Sequence, residues 1–328
     1  MNLPEFVQIE PVGQCNLKCR MCPVVYREEK PPAFMSFAAF CSLVDQFGAV
    51  KELHLQGLGE PMLHPRFFDM VRHAAARGIE VSTNTNLTAL SERRAEECVR
   101  SGLRRMHVSL DAADAAAYEY IRVGARFSKV LRNLKWITEA RARVPESILE
   151  IRLVAVAMRR NLEQLPALVR LAHAYGVHSV SVQHLAHDFS ESSLPTKYRP
   201  MREFVEQETL LAEDPARVQR WFEEARAVAA SLAVELRLPN SSPKPRPDSL
   251  SGRERCDWPW RGAYVAYSGE AMPCCMVATP ERANLGSMTK EGVLQVWDGP
   301  AYRNFRERLD SAQPPDICKG CAVYQGRF

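Results

Sequence analysis

A chain of 328 residues, 46% of them hydrophobic and 25% charged, has room for one large domain with an appendage or for two domains, and is ordinary for a globular protein. Its formal charge of +4 is too small to call for nucleic acid, and no lysine/arginine run forms a binding tail. No basic segment followed by an apolar stretch opens the chain, and no apolar run reaches the roughly eighteen residues of a membrane span, so we expect a cytoplasmic chain with no membrane partner.

From residue 5 to about residue 185, strand-like and helix-like stretches alternate. The strand candidates are Phe6–Glu10, Glu52–Gln56, Ile79–Thr83, Arg105–Leu110, Leu149–Ala155 and Ser179–Gln183. The helix candidates between them are Ser36–Phe47, Pro65–Arg77, Ser91–Ser101, Asp114–Tyr120 with Ser128–Arg143, and Leu162–Tyr175. Ser36 and Ser91 suit N-caps, Pro65 suits a first turn, and Gly78, Gly102 and Gly176 suit helix stops. Strand–helix units in succession favour a parallel sheet covered by helices, and too few are present to close an eight-stranded barrel. We therefore expect an α/β fold, an open partial (β/α)6 barrel over residues 1–190. A charged helical segment and a Pro-rich linker (Pro239–Pro247) should fill residues 191–248, with a strand over Ala233–Leu238. A small cysteine-rich domain should occupy residues 249–328. In such sheets ligands sit at the carboxyl ends of the strands.

The cysteines lie where this plan puts chemistry. Cys15, Cys19 and Cys22 follow the first strand, with three residues and then two between them. A loop this short can wrap three thiolates around one compact centre, and thiolates select iron–sulfur clusters or zinc. Three thiolates leave one iron of a four-iron cluster open; zinc with a fourth ligand from elsewhere is the other reading. Cys256, Cys274, Cys318 and Cys321 can close a complete site, as zinc or as a cluster. Cys275 is left over, either packed or acting as a hydrogen-atom donor, while Cys41 and Cys98 read as core thiols. His54, Gln183 and His184 near strand ends are equally core, rim or substrate residues.

The first cysteine spacing, with Met21 in the apolar place before the last thiol, resembles the signature of the radical S-adenosylmethionine (SAM) superfamily. The resemblance implies a four-iron cluster that chelates the amino and carboxylate groups of SAM. One electron then cleaves SAM to methionine and a 5′-deoxyadenosyl radical, which takes a hydrogen atom from the substrate. Gln56-Gly-Leu-Gly-Glu-Pro61 is similar to the family's Gly-Gly-Glu-Pro motif, with Leu58 in place of the first glycine. This implies Gly59, Glu60 and Pro61 at the SAM amino group, Glu60 as acceptor. Ser82-Thr-Asn-Thr-Asn86 resembles a Thr-Asn-Gly stretch, implying Asn84 in the SAM pocket; simple turn chemistry is the alternative. Ser109-Leu-Asp111 resembles a motif near the SAM ribose or carboxylate, and Arg122 resembles an arginine that pairs with that carboxylate. The C-terminal cysteines resemble a SPASM/twitch extension with one auxiliary [4Fe–4S] cluster on Cys256, Cys274, Cys318 and Cys321.

These likenesses lead us to expect two [4Fe–4S] clusters, SAM, and an electron donor such as flavodoxin or ferredoxin. The expected substrate is a small polyhydroxylated molecule of sugar, aminocyclitol or nucleoside type. Oxidation, elimination or epimerisation would follow, with Cys275 the catalytic hydrogen donor in the last case. A maturase of ribosomal peptides is the alternative. It is set second because no peptide-recognition domain fits before Cys15. A non-catalytic zinc-binding interaction protein is the alternative of another class.

Overall fold

The computed structural model describes residues 2–26, 33–185, 194–240 and 256–326. Its centre is one sheet of β1 (Phe6–Ile9), β2 (Glu52–Leu55), β3 (Glu80–Thr85), β4 (Arg105–Ser109), β5 (Glu150–Ala157), β6 (Ser179–His184), β7 (Glu235–Arg237), β8 (Gly262–Val265) and β9 (Ala271–Met272). The order across this nine-stranded sheet is β7-β6-β5-β4-β3-β2-β1-β8-β9, so β7 and β9 are its end strands and the sheet is open. Every pair is parallel except β8 with β9. The expected units run in chain order from β1 to β6. The short strand expected over 233–238 adds β7 to one edge. The hairpin β8–β9, which the sequence reading did not foresee, adds itself to the other edge by pairing with β1.

Helices α1 (Phe37–Phe47), α2 (Phe67–Ala75), α3 (Glu92–Val99), α4 (Ala115–Ile121), α5 (Phe127–Ala142) and α6 (Leu165–Ala174) lie between the strands. Ser36 and Ser91 cap α1 and α3, their hydroxyls accepting from the Ala39 and Arg94 N–H groups. Pro65 does not open α2 as expected: a 3-10 turn, Pro61–Leu63, comes first, and α2 starts only at Phe67. Helices α7 (Arg199–Glu208) and α8 (Pro215–Ser231) precede β7. The C-terminal region adds α9 (Trp258–Arg261), α10 (Met288–Glu291), α11 (Val293–Trp297), α12 (Pro300–Leu309) and α13 (Asp316–Lys319). The Pro-rich stretch beyond Asn240 and the boundaries expected near residues 190 and 248 lie outside the described residues. Among the described residues no helix is long and apolar enough to cross a membrane.

Strand alternation sorts the two faces of the sheet. Val7, Leu53, Val81, Met106, Leu153 and Val180 point to the helices and are at most 1% exposed. The other face of β1 to β4 is polar: Gln8 stands beside His54, His54 beside Ser82, and Asn84 beside His107. Parallel sheets usually bury apolar residues on both faces. The polar inner face is held by hydrogen bonds rather than by apolar packing. His54 Nδ1 lies 2.7 Å from Ser82 Oγ, His54 Nε2 2.8 Å from Gln56 Oε1, and His107 Nδ1 2.8 Å from Asn84 Oδ1. Burial holds both imidazoles down at about 4, with His54 a further cause for His107, so both are neutral near pH 7.

Candidate active site

The loop Cys15–Cys22 leaves β1 and is held by its neighbours more than by its own structure. The Lys18 N–H donates to the Val123 carbonyl (2.8 Å) and the Arg20 N–H to the Ile121 carbonyl (3.1 Å). The Glu60 N–H donates to Gln14 (3.0 Å). The three thiols lie within electrostatic reach of one another. Cys15 Sγ receives the Leu17 N–H (3.4 Å) and the Asn86 side-chain amide (3.6 Å), while Arg122 Nη1 stands 4.0 Å from Cys19 Sγ. Burial pushes the Cys15 and Cys22 thiols up to about 12 in the metal-free chain, so a metal must displace their protons to bind.

The glycine loop after β2 packs directly on this loop. A Cβ on Gly59 would run into the Val12 and Gln14 carbonyls, so only glycine fits there. Pro61 opens the 3-10 turn, whose cap is the Glu60 carboxylate. Glu60 is 2% exposed, and its oxygens accept from the Met62 N–H (3.0 Å), the Thr85 hydroxyl (2.6 Å) and the Asn86 N–H (2.7 Å). Glu60 was expected to offer its acceptors to SAM; in the structure they bind the chain itself, because burial leaves a carboxylate no alternative to internal donors. Burial raises the Glu60 pKa, against those three hydrogen bonds. No described N–H or O–H reaches the carbonyls of Leu58 or Gly59.

The two Thr-Asn pairs sit differently: the first is tied into the sheet and the second lies against the cysteine loop. Asn84 lies within β3 and is tied to His107. Asn86, just past the strand, touches Cys15 and also bonds Asn16 Oδ1 (3.1 Å). Leu87 then takes φ +62°, a left-handed conformation that suits glycine. Thr85-Asn86-Leu87 is therefore the better match to Thr-Asn-Gly, and that doubled Thr-Asn was the available signal.

Ser109 ends β4 half-buried, whereas Asp111 is 1% exposed. Asp111 was also expected at the cofactor, yet both its oxygens are engaged within the chain: Oδ2 accepts from Arg122 Nε (2.7 Å) and Oδ1 from the Val156 N–H (2.8 Å). Burial works against the Arg122 charge, but Asp111 and then Cys19 outweigh it and raise the pKa.

The C-terminal thiols come together from separate stretches. Cys274 lies within electrostatic reach of Cys275, Cys256, Cys318 and Cys321, and Cys275 within reach of Cys321 and Cys256. Cys275 thus joins the thiol group. Its neighbour Met276, and not Cys275, lines a cavity of about 410 Å³ at the ends of β5 and β6. Met21, Val156, Val182, Leu185 and Val323 line the same cavity. Gln183 is exposed at its rim, and His184 Nε2 lies 2.7 Å from the Asn240 carbonyl. Cys98 is fully buried and Cys41 packs 3.4 Å from His73 Nδ1, both on outer helices away from this region.

Comparison with known families decides the class. The family model of the radical SAM superfamily matches residues 9–172, half of the chain. The chain belongs to the radical SAM superfamily. A second family model, an iron–sulfur cluster-binding domain (SPASM), matches residues 256–322. This radical SAM enzyme is 26% identical over 326 residues to a PqqA peptide cyclase of Xanthomonas campestris, covering 97% of this chain and 79% of that protein. Over 188 residues it is 29% identical to a tungsten-containing aldehyde ferredoxin oxidoreductase cofactor-modifying protein of Pyrococcus furiosus, covering 55% of this chain and only 51% of that protein. Its fold resembles that of Streptococcus suis SuiB bound to the precursor peptide SuiA, with TM-score 0.72 and 17% identity over 99% of this chain and 71% of that one.

The cofactors of this radical SAM enzyme are accordingly SAM, a SAM-binding [4Fe–4S] cluster and an auxiliary cluster. The donors fit them. Both thiol groups are soft, and Cys15 and Cys19 already sit against N–H donors. The expectation of a small polyhydroxylated substrate is overturned. A relative that aligns over 97% of this chain is a peptide cyclase.

Proposed function

We propose that this enzyme modifies a ribosomally made precursor peptide and closes a bond within it with net loss of two hydrogens: one would leave as a hydrogen atom to the 5′-deoxyadenosyl radical made from SAM, the other as a proton to solvent, with its electron passing to the auxiliary cluster. The observation that carries this is the match to a PqqA peptide cyclase over 326 residues, which takes in both thiol-bearing regions. The geometry supports it. The cavity is lined by sequence neighbours of both thiol groups: Met21 beside Cys22, Met276 beside Cys275, and Val323 two residues after Cys321. A peptide side chain held there adjoins residues of both.

In this reading Cys15, Cys19 and Cys22 hold the cluster that binds SAM, and Cys256, Cys274, Cys318 and Cys321 hold the auxiliary one. The bound SAM–cluster pair supplies the one-electron chemistry that takes a hydrogen atom from an unactivated C–H bond. The carbonyls of Leu58 and Gly59 would accept from the SAM ammonium. Glu60 and Pro61 set that loop, and Asn86 and Ser109 line the pocket wall. The polar face of Gln8, His54, Ser82, Asn84 and His107 gives a neutral, hydrogen-bonding floor.

The test uses anaerobically reconstituted enzyme, SAM, dithionite and a synthetic candidate precursor peptide. We expect 5′-deoxyadenosine together with a peptide lacking two hydrogens. A peptide that returns unmodified, with no deuterium passing from its labelled form into 5′-deoxyadenosine, would overturn the reading.

A further inference from the structure

Arg122 resembles an arginine that takes the SAM carboxylate, but its surroundings give it a different duty. The guanidinium has two edges able to grip a carboxylate with paired N–H bonds, one containing Nε and one containing both terminal nitrogens. Nε is committed to Asp111 Oδ2 at 2.7 Å, and Nη1 faces Cys19 Sγ at 4.0 Å. Each edge therefore has a member already engaged. The group cannot swing away. Its side chain is 11% exposed and that of Asp111 fully buried. The backbone on either side of Arg122 is pinned to the cysteine loop through the Val123 and Ile121 carbonyls.

We propose that Arg122 acts on the SAM-site cluster through Cys19, with Asp111 as its counter-charge, and does not bind the SAM carboxylate. Reduction adds one negative charge to the cluster and its sulfur ligands. A cation with an N–H directed at one of those sulfurs favours the reduced form, and charge and hydrogen bonds at the ligands are the levers that set such potentials. Asp111 opposes this by neutralising part of the cation while fixing its direction. Arg122 and Asp111 thus pull the potential in opposite senses. This rests on the cysteine loop holding the cluster, not on the identity of the peptide.

The test is an EPR-monitored redox titration of the reconstituted holoenzyme. The SAM-site cluster is identified as the one whose signal changes when SAM is added. Arg122→Gln should lower its midpoint so that the reduced-to-oxidised ratio at a fixed ambient potential falls about ten-fold, a shift of about 59 mV for one electron. Asp111→Asn should raise it, and Arg122→Lys should stay nearer wild type than Arg122→Gln. SAM affinity, read by equilibrium dialysis, should be little changed in Arg122→Gln. A ten-fold or greater loss of SAM affinity, the size expected for a lost charge-assisted pair, with the midpoint unmoved would return Arg122 to the carboxylate and overturn the proposal. Shifts of the same sign in the Arg122→Gln and Asp111→Asn variants would reduce the pair to a packing role and overturn it equally. Should Arg122→Gln fail to take up iron, Asp111→Asn is read against wild type: a raised midpoint supports the proposal, and an unmoved or lowered one overturns it.

Discussion

The loop from Cys15 to Cys22 takes three thiols from eight consecutive residues, whereas the C-terminal group draws on stretches around Cys256, Cys274 and Cys318. The first has almost no structure of its own. It is shaped by hydrogen bonds with the segments after β2, β3 and β4, all anchored in one large apolar core. The second rides on short elements such as α9 and α13, each four residues long, which are marginal as isolated helices. Bringing distant segments together costs loop-closure entropy, and a metal that binds only the assembled form offsets that cost. The comparison therefore separates a site the fold supports from a site that supports its part of the fold.

The largest effect should come from breaking each site in turn. Replacing Cys15, Cys19 and Cys22 by alanine should reduce iron from about eight to about four per chain and abolish 5′-deoxyadenosine formation. The protease resistance of the folded chain should be kept. Replacing Cys318 and Cys321 should remove as much iron, yet open the region after residue 256 to limited proteolysis. Equal protease resistance in both variants would erase the contrast, and stoichiometric zinc in the C-terminal group would contradict an iron cluster there.

Next in size is Glu60→Ala. It strands three buried donors, each worth about 1–3 kcal/mol when left unpaired, so a loss on the order of 3 kcal/mol or more is expected in denaturant titrations. Weaker SAM binding should follow, because the glycine loop loses its anchor to Thr85 and Asn86. Unaltered stability would mean that the fold does not brace the first site through this carboxylate.

A smaller effect is tied to pH. The folded pKa of His54 and of His107 is about 4, below the ordinary value of 6.5, so the unfolded chain binds more protons between those limits. Stability should therefore fall as pH drops from 6.5 towards 4, by up to roughly 3 kcal/mol per histidine. Asn in place of both residues should flatten that part of the stability–pH curve relative to wild type. The smallest effect is that of Cys275→Ala: iron content and the two-hydrogen loss from the peptide should persist, since an oxidative closure needs no hydrogen donor. A drop in iron would make Cys275 a ligand.

What could be read beforehand follows the same division. Local spacing carries local geometry, so the cysteine loop, the caps at Ser36 and Ser91, and the succession β1 to β6 were visible in the sequence. The Glu60 and Asp111 side chains were visible as polar groups at strand ends, but whether a carboxylate faces a ligand or a neighbouring N–H depends on burial, which no short motif encodes. Asn84 was favoured over Asn86 because two Thr-Asn pairs lie side by side. Leu87 hides the left-handed turn that a glycine would have announced. The hairpin β8–β9 escaped notice because β9 has two residues and β8 four, too short to show a period. The proposed peptide substrate left no local mark, since a cavity lined from six separate segments has no contiguous signature.

The pairing of β1 with β8 has a consequence for how the protein is made. β1 lies between β2 and β8, so the strand that launches the first cysteine loop is an inner strand whose second partner comes from residues 262–265. On the ribosome the Phe6–Ile9 edge stays unpaired until most of the chain has emerged. Such an edge is a template for wrong partners, and contacts this far apart in sequence form slowly. Completion of the wall beneath the SAM-binding loop is thus among the last events of synthesis, and loading that loop before the C-terminal region arrives would load it into an unfinished sheet.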